Sequence, residues 1–432
     1  MVWLHYAIWL APDVIALRAI LRTTYITKNK AHDFCITYAL QTQFCMVYLF
    51  VCANGCIFAS SLVCACIQFR STEIFSVRRD TEGSEILIYF NCDYTEGCHP
   101  NILKRLCETN MMQTVGYGED EICDLARAKI RKACGREDVD VHFLVGGTQT
   151  NATVIAAILR PHQGALSADT GHINVHETGA VEATGHKVLP LPSTPDGKIT
   201  AEQVENAYLA HVNDASFEHM VQPKLVYISL PTENGGLYSK AELTALHDVC
   251  TRCGLYLFID GARLGYGLTA PENDVTLADL CALSDVFYIG GTKVGALFGE
   301  AVVITNPALK TDFRYHIKQR GGMLAKGRLL GVQFEAMLEN GDYTRLAARA
   351  NDLAQELKRA FMDHGCALLS DTAANQIFPI LPDEAARRLA TGYAFSFWER
   401  VDDTHQAVRF CTNVTTDRAD VDALLRDIDR AF

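Results

Sequence analysis

From Val141 onward, short apolar runs alternate with amphipathic segments along the chain. Runs such as KLVYISL, LYLFID and DVFYIGG are almost continuous in apolar residues, which is typical of strands buried on both faces of a sheet. Segments 201–212 and 240–253 lie between such runs, and their apolar positions recur with the period of an α-helix. Strands that alternate with helices predict an α/β fold, in which helices cover both faces of a mainly parallel sheet.

The pattern changes after about residue 325. Two long helical segments precede several short strand candidates, and the chain ends in the helical segment 418–432. This order predicts a smaller α+β domain. The expected regions are therefore an N-terminal extension (1–85), a large domain (86–325) and a small C-terminal domain (326–432).

The first 85 residues follow neither pattern. Residues 44–69 contain no charged residue, and this run is longer than the roughly 20 residues that a membrane-spanning helix needs. Arg70 comes directly after the run and would place that end in the cytoplasm. Residues 14–30 are basic and poor in acids, as in a targeting presequence. Three interpretations stay open: a membrane anchor within residues 34–69, an organelle-targeting signal, or an unstructured segment from an extended reading frame.

Composition limits the classes of function. Apolar residues make up 49% of the 432-residue chain and charged residues 21%, as in a packed globular protein. The net charge is −12 and no long basic run follows Ile86, so nucleic acid is excluded as the main partner. The 16 cysteines are too scattered over a long chain for a disulfide framework. We expect reduced thiols and a cytoplasmic protein, with membrane contact only if the anchor is genuine.

Three polar features follow predicted strands. Asp260 ends the run LYLFID, at the edge of the sheet where ligands bind in open α/β folds. Lys293 follows DVFYIGG among small residues, where partial burial can lower the pKa of its amine. Gly147 and Thr148 lie in a glycine-rich turn that offers backbone N–H groups to a phosphate. Each feature alone has an ordinary structural explanation, but together they meet the needs of pyridoxal 5′-phosphate (PLP): an imine-forming lysine, an acid for the pyridine nitrogen and a phosphate site.

Eight motifs between Tyr89 and Phe432, about four fifths of the chain, resemble the low-specificity L-threonine aldolase and β-eliminating lyase family of PLP enzymes. They are CDYTEGCHPNIL, YGED, GGTQTN, TGHINVHETGA, FIDGARLGYG, YIGGTKVGALFGE, KQRGGMLAKGR and AVRFCTN. The resemblance implies an aminotransferase-like fold of type I, with a large PLP domain, a small C-terminal domain and active sites shared between subunits. PLP as cofactor, an amino acid as substrate and a homo-oligomer, either dimer or tetramer, follow from it as expectations.

The resemblance also assigns roles to residues within these motifs. Lys293 corresponds to the lysine that forms the Schiff base, Asp260 to the partner of the pyridine nitrogen, and His172 to the histidine that stacks on the cofactor ring. The expected phosphate and further cofactor contacts are Gly147, Thr148 and Thr292.

Two arginines are expected to bind the substrate carboxylate, because a guanidinium fork matches the two carboxylate oxygens. They are Arg263, three residues after Asp260, and Arg409 in AVRF. The KQRGGMLAKGR motif is expected to bring Arg320 or Lys326 to the phosphate bound by a neighbouring subunit.

Two positions depart from the family pattern. Many members carry a histidine that contacts the substrate hydroxyl, whereas LPTENGG has Glu233 at that place. A carboxylate can also act as a base, so Glu233 is a candidate catalytic residue beside His172. Cys92–Asp93 stands where many members have a Ser-Asp pattern, and no role follows for it.

The resemblance implies retro-aldol cleavage of L-threonine or L-allo-threonine to glycine and acetaldehyde. The alternatives are β-elimination or aldol cleavage of another β-hydroxy or aromatic amino acid and, more remotely, an inactive membrane-anchored scaffold. No metal site is expected, because Cys250 with Cys253 and His172 with His176 lack further ligands at metal-binding spacing.

Overall fold

The computed structural model describes residues 87–432 and the backbone of four strands within residues 24–59. The chain divides into two compact units, Met1–Ser84 and Glu85–Phe432. The four strands of the first unit are β1 (Thr24–Lys28), β2 (Phe34–Thr42), β3 (Cys45–Val51) and β4 (Ile57–Ala59). They form an antiparallel sheet in sequence order.

The membrane anchor and the presequence considered above fall largely outside the described residues. Where residues 34–59 are described they form β2, β3 and β4, whereas an anchor would need one continuous helix. Runs such as CMVYLFV in β3 are rich in β-branched and aromatic side chains, which favour strands. Among the described residues, no helix is both long enough and apolar enough to cross a membrane.

The second unit begins with the two-residue strand β5 (Ile88–Tyr89), and seven further strands form its central sheet. These are β6 (Asp140–Leu144), β7 (Gln163–Ala168), β8 (Lys187–Leu191), β9 (Gln222–Ser229), β10 (Tyr256–Asp260), β11 (Val286–Gly290) and β12 (Glu300–Ile304). Their order is β6-β12-β11-β10-β9-β7-β8, and pairing is parallel except that β12 runs antiparallel to both neighbours. The predicted α/β fold with a mainly parallel sheet is confirmed.

Helices cover this sheet because both of its faces are apolar. Alternate residues of one strand enter two separate cores: Leu257 and Ile259 pack in one, and Phe258 packs in the other. The helices of the unit are α1 (Pro100–Thr109), α2 (Glu121–Cys134), α3 (Gly147–Ile158), α4 (His172–Val175), α5 (Ala201–Val212), α6 (Lys240–Cys253), α7 (Leu264–Thr269), α8 (Leu277–Leu283), α9 (Phe313–Gln319), α10 (Arg328–Met337), α11 (Asp342–Asp363), α12 (Asp383–Leu389) and α13 (Arg418–Ala431).

The bounds of α5 and α6 coincide with the predicted segments because their ends are encoded locally. Thr200 and Ser239 each begin a capping box, in which the side chain of the residue three positions later bonds back to the backbone. Gly254 ends α6 with φ +64°, a left-handed conformation that glycine adopts without strain.

The C-terminal part contains a small antiparallel sheet with its own core. Its strands are β13 (Gln376–Ile377), β14 (Ile380–Pro382), β16 (Ser396–Arg400) and β17 (His405–Cys411), while β15 (Tyr393–Ala394) pairs with β5. The short apolar run at residues 366–370 forms only an isolated bridge from Leu368 to Pro379. The division at residues 325/326 stays a prediction; α10, just beyond it, packs on α2 of the large core.

Candidate active site

A cavity of about 320 Å³ opens beside the carboxyl ends of β9, β10 and β11 and the N-terminus of α3. A second cavity, of about 440 Å³, shares part of its wall. Of the predicted site residues, those that line the first cavity are Gly147, Thr148, His172, Asp260, Arg263, Thr292 and Lys293. The second cavity adds Glu233 and Arg409, so nine predicted residues lie around two connected spaces.

Asp260 forms the buried floor of the first cavity. Its carboxylate accepts hydrogen bonds from the hydroxyl groups of Tyr227, at 2.6 Å, and Tyr288. The side-chain amide of Asn151 donates to it at 3.0 Å, and the backbone N–H of Ala262 at 2.9 Å. Burial on its own raises the pKa of a carboxyl group, but the two tyrosine hydroxyls, with His172 and the Ala262 N–H, together outweigh it, and the pKa of Asp260 lies below its usual value. The floor therefore carries a fixed negative charge.

Lys293 lies in a tight turn after β11, on the cavity wall. Its backbone carbonyl accepts a hydrogen bond of 2.6 Å from the Tyr266 hydroxyl, which fixes the turn. Burial and the nearby Arg263 lower the pKa of its amine. Gly295 ends the turn with φ +103°, a conformation that favours glycine. No hydrogen bond to the Lys293 amine is found among the described residues, so the amine is available to a ligand in the cavity.

The N-terminus of α3 faces the same cavity without a capping side chain. Gly146 precedes the helix and has no side chain to donate or accept, and the first intrahelical bond here runs from the Thr150 N–H to the Gly146 carbonyl. The backbone N–H groups of Gly147 and Thr148 thus keep their hydrogen-bonding capacity, together with the positive end of the helix dipole. This end of the cavity can hold an anion.

His172 is oriented by a buried acid that the sequence did not single out. Its Nδ1 lies 2.7 Å from Oε1 of Glu177, so Nδ1 carries the hydrogen and Nε2 is free to accept one. The amide of Asn151 donates to the same Glu177 oxygen at 2.8 Å and also to Asp260. Asn151 and Glu177 both lie inside quoted motifs, GGTQTN and TGHINVHETGA, but motif membership did not reveal that they link His172 to Asp260.

Glu233 lies in the loop after β9, on the wall of the second cavity. One of its carboxylate oxygens, Oε1, accepts hydrogen bonds from the Ser229 hydroxyl at 2.7 Å and from the backbone N–H of His172 at 3.0 Å. Burial raises the pKa of Glu233 above its ordinary value, and the charge of Asp260 adds to that rise. Glu233 can therefore exchange a proton closer to neutral pH than an exposed glutamate does.

The two predicted carboxylate ligands are held in different ways. Nε and one terminal nitrogen of Arg263 bind both oxygens of buried Asp93, at 2.7 and 3.0 Å, and Asn375 donates to the same acid. Asp93, for which no role was expected, thus anchors Arg263. Arg409 donates to the backbone carbonyl of Asn91 at 3.0 Å, and its guanidinium carbon lies 5.0 Å from the centre of the Trp398 ring.

Arg320 and Lys326 line neither cavity. The backbone carbonyl of Arg320 accepts a hydrogen bond from Gln149 of α3, whereas Lys326 is exposed. Their expected contact with a neighbouring subunit stays a prediction. Among the described residues, no group of histidine, cysteine and acidic side chains could hold a metal ion.

The chain is similar to known proteins over most of its length. The family model of the beta-eliminating lyases matches residues 92–383. The low specificity L-threonine aldolase of Pseudomonas aeruginosa is 30% identical over 343 residues, which are 78% of this chain and 96% of that protein. The low specificity L-threonine aldolase of a Pseudomonas species is 31% identical over 305 residues, 69% of this chain and 86% of that protein.

Solved structures agree with the fold. The threonine aldolase of Leishmania major superposes with a TM-score of 0.77 and 44% identity, covering 79% of this chain and 99% of that one. An aspartate aminotransferase of Thermus thermophilus reaches a TM-score of 0.59 at 15% identity, covering 80% and 92%, and this similarity concerns the fold alone. The expected aminotransferase-like fold and the expected family are thereby confirmed, and the chain belongs to the beta-eliminating lyase family, together with the low-specificity L-threonine aldolases.

Proposed function

We propose that this protein is a PLP-dependent lyase that cleaves L-threonine and L-allo-threonine into glycine and acetaldehyde by breaking the Cα–Cβ bond. The observation that carries the proposal is the gathering of Lys293, Asp260 and the uncapped end of α3 around one cavity, with Glu233 and Arg409 on the adjoining one. The names of the relatives, low specificity L-threonine aldolase in two cases, support the substrate.

Three features of the first cavity fit PLP. The Lys293 amine has no hydrogen bond among the described residues, and its lowered pKa favours the neutral form that bonds to an aldehyde. The free N–H groups of Gly147 and Thr148 suit a phosphate. Thr292 lines the same wall, but its hydroxyl donates to Glu300. Asp260 supplies a fixed negative charge for the pyridine nitrogen. When bound there, PLP supplies a conjugated ring that accepts the electron pair left at Cα.

The substrate carboxylate is held by the two arginines in this proposal. Two nitrogens of Arg263 are occupied by Asp93, so its remaining N–H groups face the ligand in a fixed orientation. Arg409 lies on the wall of the second cavity and is steadied by Trp398. A carboxylate fixed at two points sets the direction of the bonds at Cα, which selects the bond that breaks.

Glu233 is the proposed acceptor of the β-hydroxyl proton. Oε1 already accepts two hydrogen bonds, and Oε2 has no hydrogen-bond donor among the described residues, so it is the oxygen that can take a proton. Nε2 of His172 is the alternative acceptor, since Nδ1 is bound to Glu177. Loss of this proton lets the carbonyl of acetaldehyde form as the Cα–Cβ bond breaks.

Product analysis of the purified full chain tests the proposal. L-threonine, L-allo-threonine and phenylserine are supplied in turn, and glycine and the matching aldehyde are measured. We expect both products in equal amounts from the wild type, and loss of both in Lys293→Ala together with loss of the visible absorbance of bound PLP. Pyruvate and ammonia in place of glycine would instead identify a β-eliminating enzyme, and a wild type that cannot be loaded with PLP would contradict the cofactor.

Oligomerisation and compartment complete the proposal. We infer a homo-oligomer in which Arg320 or Lys326 reaches the phosphate of a neighbouring subunit, because neither residue lines the cavities of its own chain. Sedimentation of the wild type measures the oligomeric state, and a lower PLP affinity in Arg320→Ala or Lys326→Ala is the expected sign of the contact.

The cysteines from Cys92 to Cys411 are all free, which supports a reducing compartment such as the cytoplasm.

A further inference from the structure

Glu300 is a buried acid beside Lys293 for which the proposed reaction has no use so far. It is the first residue of β12, its exposed fraction is 3%, and it lines the first cavity together with Lys293. The antiparallel register of β11 and β12 sets it opposite Gly290. It therefore lies against the turn that carries Lys293.

Both oxygens of Glu300 bind the residues that precede Lys293. Oε1 accepts a hydrogen bond from the Thr292 hydroxyl at 2.8 Å, and Oε2 accepts one from the backbone N–H of Gly291 at 3.1 Å. The Thr292 hydroxyl in turn accepts from the N–H of Gly299 at 3.0 Å. The acid is thus fixed in position relative to the turn, and its charge cannot move away from Lys293.

The charges around Lys293 leave Glu300 as the unpaired acid. Asp93 is neutralised by its two-point contact with Arg263, and Asp260 is held by four hydrogen-bond donors. Among the described residues, no arginine, lysine or histidine forms an ion pair with Glu300. Tyr288 and Tyr343, which also feel its charge, are neutral because burial raises the pKa of both hydroxyl groups. A buried carboxylate without a cation is costly, and taking up a proton relieves that cost.

We propose that Glu300 is a positioning residue that holds one proton beside Lys293 at neutral pH, so that the Lys293 amine is neutral and can bond to a carbonyl group. The proton that leaves Nζ of Lys293 is released to solvent while the proton on Glu300 stays in place, and no further reactant is needed. This inference rests on the proposed function in one respect: the neutral amine is what the proposed reaction needs in order to bond to PLP.

Burial acts on the two groups in opposite directions and brings their proton affinities together. It raises the pKa of Glu300 to about 8 and lowers that of Lys293. Below pH 8 the carboxyl group is protonated, and no uncompensated negative charge lies beside the turn. Above it, the carboxyl group loses this proton to solvent, while the Lys293 amine, which loses its own proton at lower pH, stays neutral.

Infrared difference spectroscopy of the full chain, with PLP removed, tests the proton directly. The wild type is compared with Glu300→Gln well below and well above pH 8, in H₂O and D₂O. We expect a protonated-carboxyl band in the wild type below pH 8 that shifts in D₂O, disappears above pH 8 and is missing in Glu300→Gln at every pH. Absence of any such difference below pH 8 would show that Glu300 is ionised and would overturn the inference.

Glu335→Gln is the matched control. Glu335 is also a buried glutamate, but it pairs with Lys129 and Arg105, and these cations hold its pKa below the usual range. Its replacement leaves the protonated-carboxyl band in place. If Glu300→Gln does not fold, Thr292→Val serves instead: removal of the hydroxyl that binds Oε1 shifts the band of the wild type, and an unshifted band would contradict the assignment to Glu300.

Reductive methylation of Lys293 with formaldehyde, followed by mass spectrometry, gives a second readout that needs neither PLP nor threonine cleavage. If Glu300 is already protonated where the Lys293 amine loses its proton, glutamine mimics the acid, and Glu300→Gln is expected to leave the pH midpoint of labelling unchanged. A midpoint that moves downward in the variant would show that Glu300 is ionised there and would overturn the inference. Failure of glycine formation with a normal infrared result would reject the proposed reaction while leaving the proton assignment intact.

Discussion

Asp260, which is buried, and Glu233, which is half-buried, are two carboxylates near the ends of the neighbouring parallel strands β10 and β9, and their pKa values shift in opposite directions. Asp260 accepts four hydrogen bonds, and its pKa lies below the usual value. Glu233 accepts two, both at one oxygen, and its pKa is raised. Burial opposes ionisation in both, so the number of hydrogen-bond donors contributes to whether the pKa of each acid lies below or above its usual value.

The comparison teaches how one site can contain a fixed charge and a base side by side. Four donors satisfy the acceptor capacity of a carboxylate, which makes a proton at Asp260 unnecessary. The negative charge of Asp260 then adds to the rise in the pKa of Glu233. The same network thus keeps Asp260 charged on the cofactor side of the site and helps to raise the pKa of Glu233 on the substrate side.

Removal of the fixed charge is expected to have the largest effect. Asp260→Asn keeps the size of the side chain but cannot hold a proton on the pyridine nitrogen, so we expect kcat for glycine formation to fall by about 10³-fold. PLP content, measured by absorbance, separates this from cofactor loss.

Asp285→Asn is the control for Asp260→Asn. Asp285 accepts hydrogen bonds from the backbone of Leu257 and the side chain of Asn306, away from both cavities. We expect it to lower thermal stability while kcat stays near the wild-type value. A PLP-loaded Asp260→Asn enzyme with a kcat close to the wild type would show that the charge of Asp260 is not needed.

Removal of the proposed base comes next. Glu233→Gln is expected to lower kcat by about 10²-fold, the lower end of what a general base contributes. The base acts in its ionised form, so the wild-type rate falls as the pH drops through the raised pKa of Glu233, and this acid limb should be missing in the variant. If the limb persists in Glu233→Gln and disappears in His172→Asn, the base is His172.

Much of the site could be predicted because its residues follow directly from strand ends. Asp260 and Lys293 come immediately after apolar runs, and the chain order alone places such ends at one edge of a parallel sheet. The capping boxes at Thr200 and Ser239 likewise fixed two helices locally. Features that short stretches of sequence encode could therefore be predicted without the structure.

Contacts between segments that are distant in the chain could not be predicted from the sequence. Asp93 and Arg263 are 170 positions apart, and no periodicity links them. Trp398 lies on β16, whose pairing with β17 sets it against Arg409, and a strand pattern does not name its neighbour. The position of β12, antiparallel between β6 and β11, brings Glu300 to Lys293 for the same reason.

Removal of one hydrogen-bond donor to Asp260 tests how much its charge contributes to the free energy of unfolding. Tyr288→Phe removes a hydroxyl that bonds to a charged, buried acceptor, and we expect the free energy of unfolding, measured by urea titration, to fall by about 1.5–3 kcal/mol at neutral pH. The lowered pKa of Asp260 stabilises the folded state above the ordinary aspartate value, and this contribution is lost as the pH falls through the folded-state pKa. The difference between wild type and variant should therefore shrink in acid.

Tyr343→Phe gives the contrast for Tyr288→Phe. Tyr343 is equally buried, but its hydroxyl donates to the neutral carbonyl of Gly290 at 3.1 Å. We expect a smaller loss, about 1 kcal/mol, that changes little over the same acid range. Equal losses with the same pH dependence in both variants would show that the charge of Asp260 does not govern the Tyr288 bond.

The smallest expected effect concerns one of the two donors to Glu233. The Ser229 hydroxyl favours the ionised carboxylate, so Ser229→Ala should raise the pKa of Glu233 further. One hydrogen bond of about 1 kcal/mol corresponds to a shift of under about one pH unit in the acid limb of kcat, with the rate at high pH unchanged. The double variant Ser229→Ala/Glu233→Gln should match Glu233→Gln, because the hydroxyl acts only through that carboxylate. A further loss of rate in the double variant would mean that Ser229 contacts the substrate itself, and the pKa of Glu233 would then be set by burial and by Asp260.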